Sequence, residues 1–176
     1  MPLGSRLDPA HAVLSGLVTL FAGLGVPIAI YLTVQHYEGA APSCPRADWF
    51  AHLLANIGIG INCGAVTSSA YSRIGPTNVP ISVPGLIWFV VSGGLAIWAL
   101  LAAMGRLQRP DWLANARLAW SVIGLAFVIY LVYIEFGRLR LVCEWCTGVH
   151  ILTLLTFIVV LVQWQREMAA RYIYQR

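Results

Sequence analysis

The chain has 176 residues, 59% of them hydrophobic and only 10% charged, with a mean hydropathy of +0.76. A soluble domain carries about 25% charged residues, so an ordinary soluble enzyme is excluded and a single membrane domain, residues 1–176, fits the length. All eleven basic residues are Arg; with a pI near 9.1 they reflect arginines flanking membrane spans, and no nucleic-acid partner is expected.

The first apolar run, about Ala12 to Val34, carries no charge and can cross about 30 Å of hydrocarbon. It is too long for a signal peptide and lacks a small-residue cleavage pattern behind it. Pro27 predicts a kink, which neighbouring membrane helices tolerate. A loop over 36–85 follows, about 50 residues and too long for an idle connection. Within it Trp49, Phe50, Leu53, Leu54 and Ile57 recur at helical spacing, with Asp48 in the first turn. That pattern predicts a short amphipathic helix at the membrane surface or capping the bundle. Gly58 to Asn62 read as a flexible approach to Cys63. Ser68 and Ser69 read as turn residues, and Pro76, Pro80, Pro84 and Gly85 as punctuation of an extended segment.

The second span is about Leu86 to Met104 and the third about Leu118 to Phe136. Tyr130 and Tyr133 near its outer end read as interfacial belt residues. Glu135, at the same end, is read as an acid that reaches water or, less simply, relays protons. The fourth span runs from Cys143 to Trp164. The expected fold is an all-α integral membrane protein: a four-transmembrane-helix bundle with a long outward-facing loop carrying a short amphipathic helix.

Orientation follows from the arginines. Arg6, Arg106, Arg109, Arg117, Arg166, Arg171 and Arg176 fall on one side, against Arg46, Arg73, Arg138 and Arg140 on the other. Both termini are therefore expected in the cytoplasm, with the long loop and all four cysteines on the outer face of the plasma membrane, where disulfides persist.

The chemistry concentrates in Cys143-Glu144-Trp145-Cys146-Thr147-Gly148-Val149-His150. Cysteines at i and i+3 and a histidine four residues on share one helix face. A helix starting about at Cys143 places both thiols in its first turn, where free N–H groups and the helix dipole favour a thiolate. A thiolate is the nucleophile of disulfide exchange. Two other uses stay open. Cys143, Cys146 and His150, with Cys63 as a fourth, are possible metal ligands, although structural zinc cysteines usually come as two close pairs. The cysteines are alternatively simple structural staples. Cys44 and Cys63, 19 residues apart, suit a loop disulfide or a mobile shuttle pair. His150, one turn inside the membrane from Cys146, is a functional candidate because polar residues there are costly. It suits a hydrogen bond to a quinone-like oxygen, or else to a backbone carbonyl between helices.

Ile61-Asn62-Cys63-Gly64-Ala65-Val66-Thr67-Ser68-Ser69, Ser82-Val83-Pro84-Gly85 entering the second span, and the late CxxC together resemble the vitamin K epoxide reductase family. The order of motifs matches along nearly the whole chain, whereas the quinone-reducing partners of the bacterial Dsb system carry their CxxC in the first loop. The resemblance implies four helices around a quinone of the menaquinone, ubiquinone or vitamin K type, with the first loop as a lid. It implies that Cys146 lies nearest the quinone, that Cys143 resolves it, and that Cys63 exchanges with Cys143. It further implies that Cys44 pairs with Cys63 and receives electrons from a thioredoxin-like protein outside the membrane. Ser69 matches a loop serine of the active site. Ile81 and His150 stand where the animal enzymes have a substrate-contacting asparagine and tyrosine. The interval from Cys44 to Cys63 is longer than the family's usual one. The pattern therefore fits a bacterial homologue that oxidises thiols with a membrane quinone better than an epoxide reductase. No fused thioredoxin-like domain, of the kind some relatives carry, is expected after the fourth span.

Overall fold

The computed structural model describes residues 9–45 and 48–174, without the side chains of 48–50, 173 and 174. Arg6, Arg46, Arg176 and the Asp48, Trp49 and Phe50 side chains invoked above lie outside it. Helices are α1 (Pro9–Glu38), α2 (Asp48–Ala55), α3 (Cys63–Thr67), α4 (Ser82–Ala103), α5 (Leu113–Tyr133) and α6 (Glu144–Tyr174). Strand is confined to two dipeptides, β1 (Gly60–Ile61) and β2 (Leu141–Val142). With 76% helix and four helices long and apolar enough to span a bilayer, the chain is an all-α, multi-pass membrane protein.

Each long helix outruns its apolar window. α1 continues through Pro27 to Glu38. α6 runs ten residues beyond Trp164, because Gln165 to Arg171 are mostly good helix formers once the apolar run ends. α4 begins at Ser82, four residues before the expected Leu86. Pro84, read above as a mark of extended chain, sits in its first turn, where no intrahelical N–H is required. α5 begins at Leu113, so Arg117 lies inside a helix and is not a loop arginine.

The helices are inverted relative to those of soluble proteins. Leu20, Leu24, Ile87, Val90, Ile123, Ile129 and Ile158 are exposed, as a lipid face requires, while Ser15, Ala22, Ser92, Ala96, Ala114 and Ser121 are buried. Small residues inside let backbones approach closely where water supplies no driving force.

The chain forms two compact units. The first contains residues 1–24, 88–125 and 152–176. Val18, Ala96 and Val160 form its core. Trp88 Nε1 donates to the Trp120 carbonyl at 3.0 Å, and Trp120 Nε1 returns a bond to the Trp88 carbonyl at 3.2 Å, tying α4 to α5. Arg117 donates to Gln163 Oε1 at 2.8 Å, and Gln163 Nε2 donates to Ser15 Oγ at 3.0 Å. Glu167 pairs with Arg109 and lies 3.7 Å from His11 Nδ1. Buried polar groups in a membrane helix need such partners.

Gly124 lies under Trp88: a Cβ there would meet the indole at 2.3 Å. Gly124→Ala is therefore expected to overpack this unit and lower stability by about 1–3 kcal/mol. Gly94→Ala, with nothing within 4 Å, leaves the unfolding temperature in detergent unchanged and serves as the control.

The second unit contains residues 25–87 and 126–151. Here Thr33 Oγ1 and Ser82 Oγ, 2.8 Å apart, link α1 to the start of α4. Trp145 donates to the Ser43 carbonyl at 2.8 Å and tilts against Tyr31, with ring centroids 5.3 Å apart. β1 and β2 pair in parallel, Gly60 with Leu141 and Ile61 with Val142. Gly60-Ile61, expected to be flexible, is thus a strand. The long α2 stripe divides: Leu54 joins Ile59 and Val142 in a small core, while Leu53 and Ile57 stay exposed.

Candidate active site

One short parallel ladder positions two cysteines. Gly60 N–H donates to the Arg140 carbonyl and Asn62 N–H to the Val142 carbonyl, both at 3.1 Å. The chain then turns into a helix on each side. Asn62 caps α3, its Oδ1 accepting from Ala65 N–H at 2.9 Å, so Cys63 is the first helical residue. On the partner side Cys143 stands just before α6. Its carbonyl accepts from Thr147 N–H at 2.9 Å and its Sγ from Cys146 N–H at 3.3 Å. Cys143 therefore occupies the N-cap place, with sulfur doing what a serine oxygen does elsewhere.

That cap favours the ionised sulfur. The Cys143 thiol lies below its ordinary range because the Cys146 thiol donates to it, helped by the Cys146 and Trp145 N–H groups and opposed by burial and by Glu135. A lowered thiol presents more thiolate at neutral pH.

All four cysteines gather in one cluster. Cys63, Val66 and Cys143 are buried, with Cys44, Leu139, Leu141, Trp145 and Cys146 packed around them. Cys44 and Cys63 form a disulfide, while Cys143 and Cys146 are free. The bond between Cys44 and Cys63 is compatible with either a fixed loop disulfide or a shuttle pair, and it withdraws Cys63 from the ligand set considered above. Among the described residues no three His, Cys, Asp or Glu side chains assemble as metal ligands. Accessibility separates the free pair: Cys143 is wholly enclosed, whereas Cys146 is half-buried. Gly64 permits the close approach of this loop to itself, since a Cβ would meet Ala41 Cβ at 2.8 Å.

His150 is buried on α6, with Nδ1 4.0 Å from Glu135 Oε2. Glu135 is also buried, which corrects the expectation that it reaches water. Two local features cause this. Ile134–Leu139 is a π-helical turn, and Arg140 ends it in the left-handed conformation (φ 51°) with its N–H on the Glu135 carbonyl. The chain thereby doubles back over Glu135, and the Cys143 N–H donates to its carboxylate. The available signal was an acid in an otherwise apolar run.

Ser69 and Ile81 flank the turn that follows α3. The Ser69 carbonyl accepts from Ser72 Oγ at 2.7 Å, and Ile81 N–H donates to the Ser72 carbonyl at 2.9 Å. They organise a turn around Ser72, and Ile81 is not part of the apolar cluster around the sulfurs. Ser68 is an exposed C-cap of α3, and Tyr130 and Tyr133 are exposed, as belt residues are.

The starts of α6 and α4 share an exposure pattern. Glu144 to Val149 are all half-buried around the full turn of α6, and Ile81 to Leu86 are likewise at the start of α4. A helix with one packed and one lipid face alternates with the helical period, as α6 does from His150 onward. The half-buried residues of these two stretches include apolar Val83, Pro84, Trp145 and Val149, with Cys146 and Ser82 as polar ones.

In comparisons with known proteins, the sequence pattern described as the vitamin K epoxide reductase family matches residues 17–161. No curated protein matches the chain.

Proposed function

The chain belongs to the vitamin K epoxide reductase family of quinone-linked membrane oxidoreductases, and on that premise we propose that it oxidises protein thiols outside the cell and delivers the electrons to a membrane quinone. A thioredoxin-like donor attacks the Cys44–Cys63 disulfide at Cys44. Cys44 is half-buried between exposed Ser43 and Pro45, whereas Cys63 is enclosed. The freed Cys63 thiolate attacks the oxidised Cys143–Cys146 bridge at Cys143 and expels Cys146. The donor's second thiol closes the donor's own disulfide and frees Cys44, which attacks Cys63, reforming Cys44–Cys63 and releasing reduced Cys143. The single observation that carries this order is the β1–β2 pairing, whose register sets Cys63 beside Cys143.

The quinone, bound, accepts two electrons and two protons. Cys146, the half-buried residue of its pair, would meet it; His150 would hold a proton for its oxygen; Val83, Pro84 and Trp145 would hold the ring. The proposed topology has both termini in the cytoplasm and the cysteines outside, which the remaining arginine excess favours.

The test is reduction of a soluble quinone by purified protein with dithiothreitol as donor. Wild type is expected to turn over; absence of turnover would overturn the reading. Losing one oxyanion donor typically costs about 10²-fold or more, so His150→Ala should slow quinone reduction by about that factor while Cys63 and Cys143 still exchange. His150→Tyr, which restores a hydroxyl donor, should recover part. Unchanged quinone kinetics in His150→Ala would return this histidine to a packing role.

A further inference from the structure

Two ionisable side chains buried 4.0 Å apart in a membrane protein, one of them hydrogen-bonded to the backbone of a redox cysteine, have no packing rationale. We propose that Glu135 and His150 form a proton relay that couples oxidation of the Cys143–Cys146 pair to protonation of its electron acceptor, with Glu135 the positioning residue that acts through His150. The proposal rests on the function inferred above.

The balance is as follows. Oxidation of the pair forms one S–S bond and releases two electrons and two protons. One proton comes from the Cys146 S–H bond and passes directly to the acceptor; the other, held between Cys143 and Glu135, takes the relay. The acceptor, a quinone, takes up the same two electrons and two protons and becomes a quinol. Glu135 and Cys143 hold one of those protons between them in the reduced pair. As the disulfide closes, Glu135 gives it to His150 Nδ1, and the imidazole gives up its Nε2 proton to the acceptor oxygen. A separation of 4.0 Å exceeds a hydrogen bond, and a side-chain movement of about 1 Å closes it.

The π-helical turn is the device that makes this possible. It places Glu135 where both the Cys143 N–H and the imidazole reach it. The titratable groups around Glu135 are Cys143, Cys146 and His150; Arg138 and Arg140, on its own turn, are exposed. Thr147 Oγ1 is engaged by the Cys143 carbonyl and offers no competing path.

The deciding measurement uses the full-length protein equilibrated with dithiothreitol and its oxidised form from pH 6 to 8, read by differential alkylation and mass spectrometry of the Cys143–Cys146 peptide. Reduction of wild type takes up two protons, one of them shared with Glu135, so its equilibrium with dithiothreitol is flat in pH. Glu135→Gln keeps an acceptor for the Cys143 N–H but cannot hold the proton. The Cys143 thiolate then remains unprotonated, and reduction becomes more favourable by up to about tenfold per pH unit. Glu135→Asp restores the flat profile. In the quinone assay Glu135→Gln slows turnover by about 10²-fold, the loss expected for a proton-transfer group, and Glu135→Asp recovers part. The same pH profile in Glu135→Gln and wild type overturns the relay, even if the rate falls. Failure of wild type to reduce quinone sinks the functional reading instead, and the pH profile still decides the role of Glu135.

Discussion

Cys146→Ala is expected to reduce quinone turnover to the uncatalysed background, and Cys143→Ala to do the same for a different reason. Cys146 is the half-buried residue of the pair and Cys143 the enclosed one, so losing Cys146 removes the group proposed to meet the acceptor. Cys143 is enclosed, and its loss leaves Cys146 with no partner to close a disulfide, so no electron pair can be released. Cys143→Ala also removes the N-cap of α6, an effect of about 1 kcal/mol. Cys143→Ser separates the two effects: its Oγ accepts from the Cys146 N–H as the sulfur does, so the helix start is kept while the chemistry is lost. Equal inactivity of Cys143→Ser and Cys143→Ala, with dithiothreitol or a protein donor, is the expected outcome. Near-normal turnover in any of these variants would show that the pair is not the electron carrier.

The second large effect depends on the donor. Cys63→Ala is expected to block turnover with a thioredoxin-like protein donor. A small dithiol has a route past the loop, through half-buried Cys146, so quinone reduction with dithiothreitol should persist. The loop keeps other anchors in this variant, among them the β1–β2 ladder and the Trp145 bond to the Ser43 carbonyl. Parallel assays with the two donors therefore distinguish a shuttle from a staple. Equal loss with both would mean that Cys44–Cys63 holds the site together and carries no electrons.

These variants act on groups that differ in how far the amino-acid sequence disclosed them. The four spans were legible from the chain, because a run of about 20 apolar residues satisfies its backbone in lipid only as a helix. The helix start at the CxxC was legible for a related reason: an i, i+3 pair just before an apolar run places its sulfurs where free N–H groups are. The helix ends were not. Polar residues with good helical propensity carried α6 to Tyr174, and Pro84 opened α4 where it was expected to prolong a loop.

Three features belong to the tertiary structure alone. The pairing of Ile61 with Val142 joins two dipeptides from distant parts of the chain, and two residues have no periodicity to detect. Cys44 and Cys63 could by spacing be a fixed bridge or an open pair; the fold of the loop over β2 brings their sulfurs together. Glu135 lies two residues past the end of α5, where an acid ordinarily finds water. A π-helical turn and a left-handed Arg140 fold the chain back across it instead, and a buried carboxylate beside His150 results. Local composition and period decide which segments are helical. Which sulfurs and acids meet depends on long-range backbone pairing and on one irregular turn, and neither leaves a periodic trace in the residues themselves.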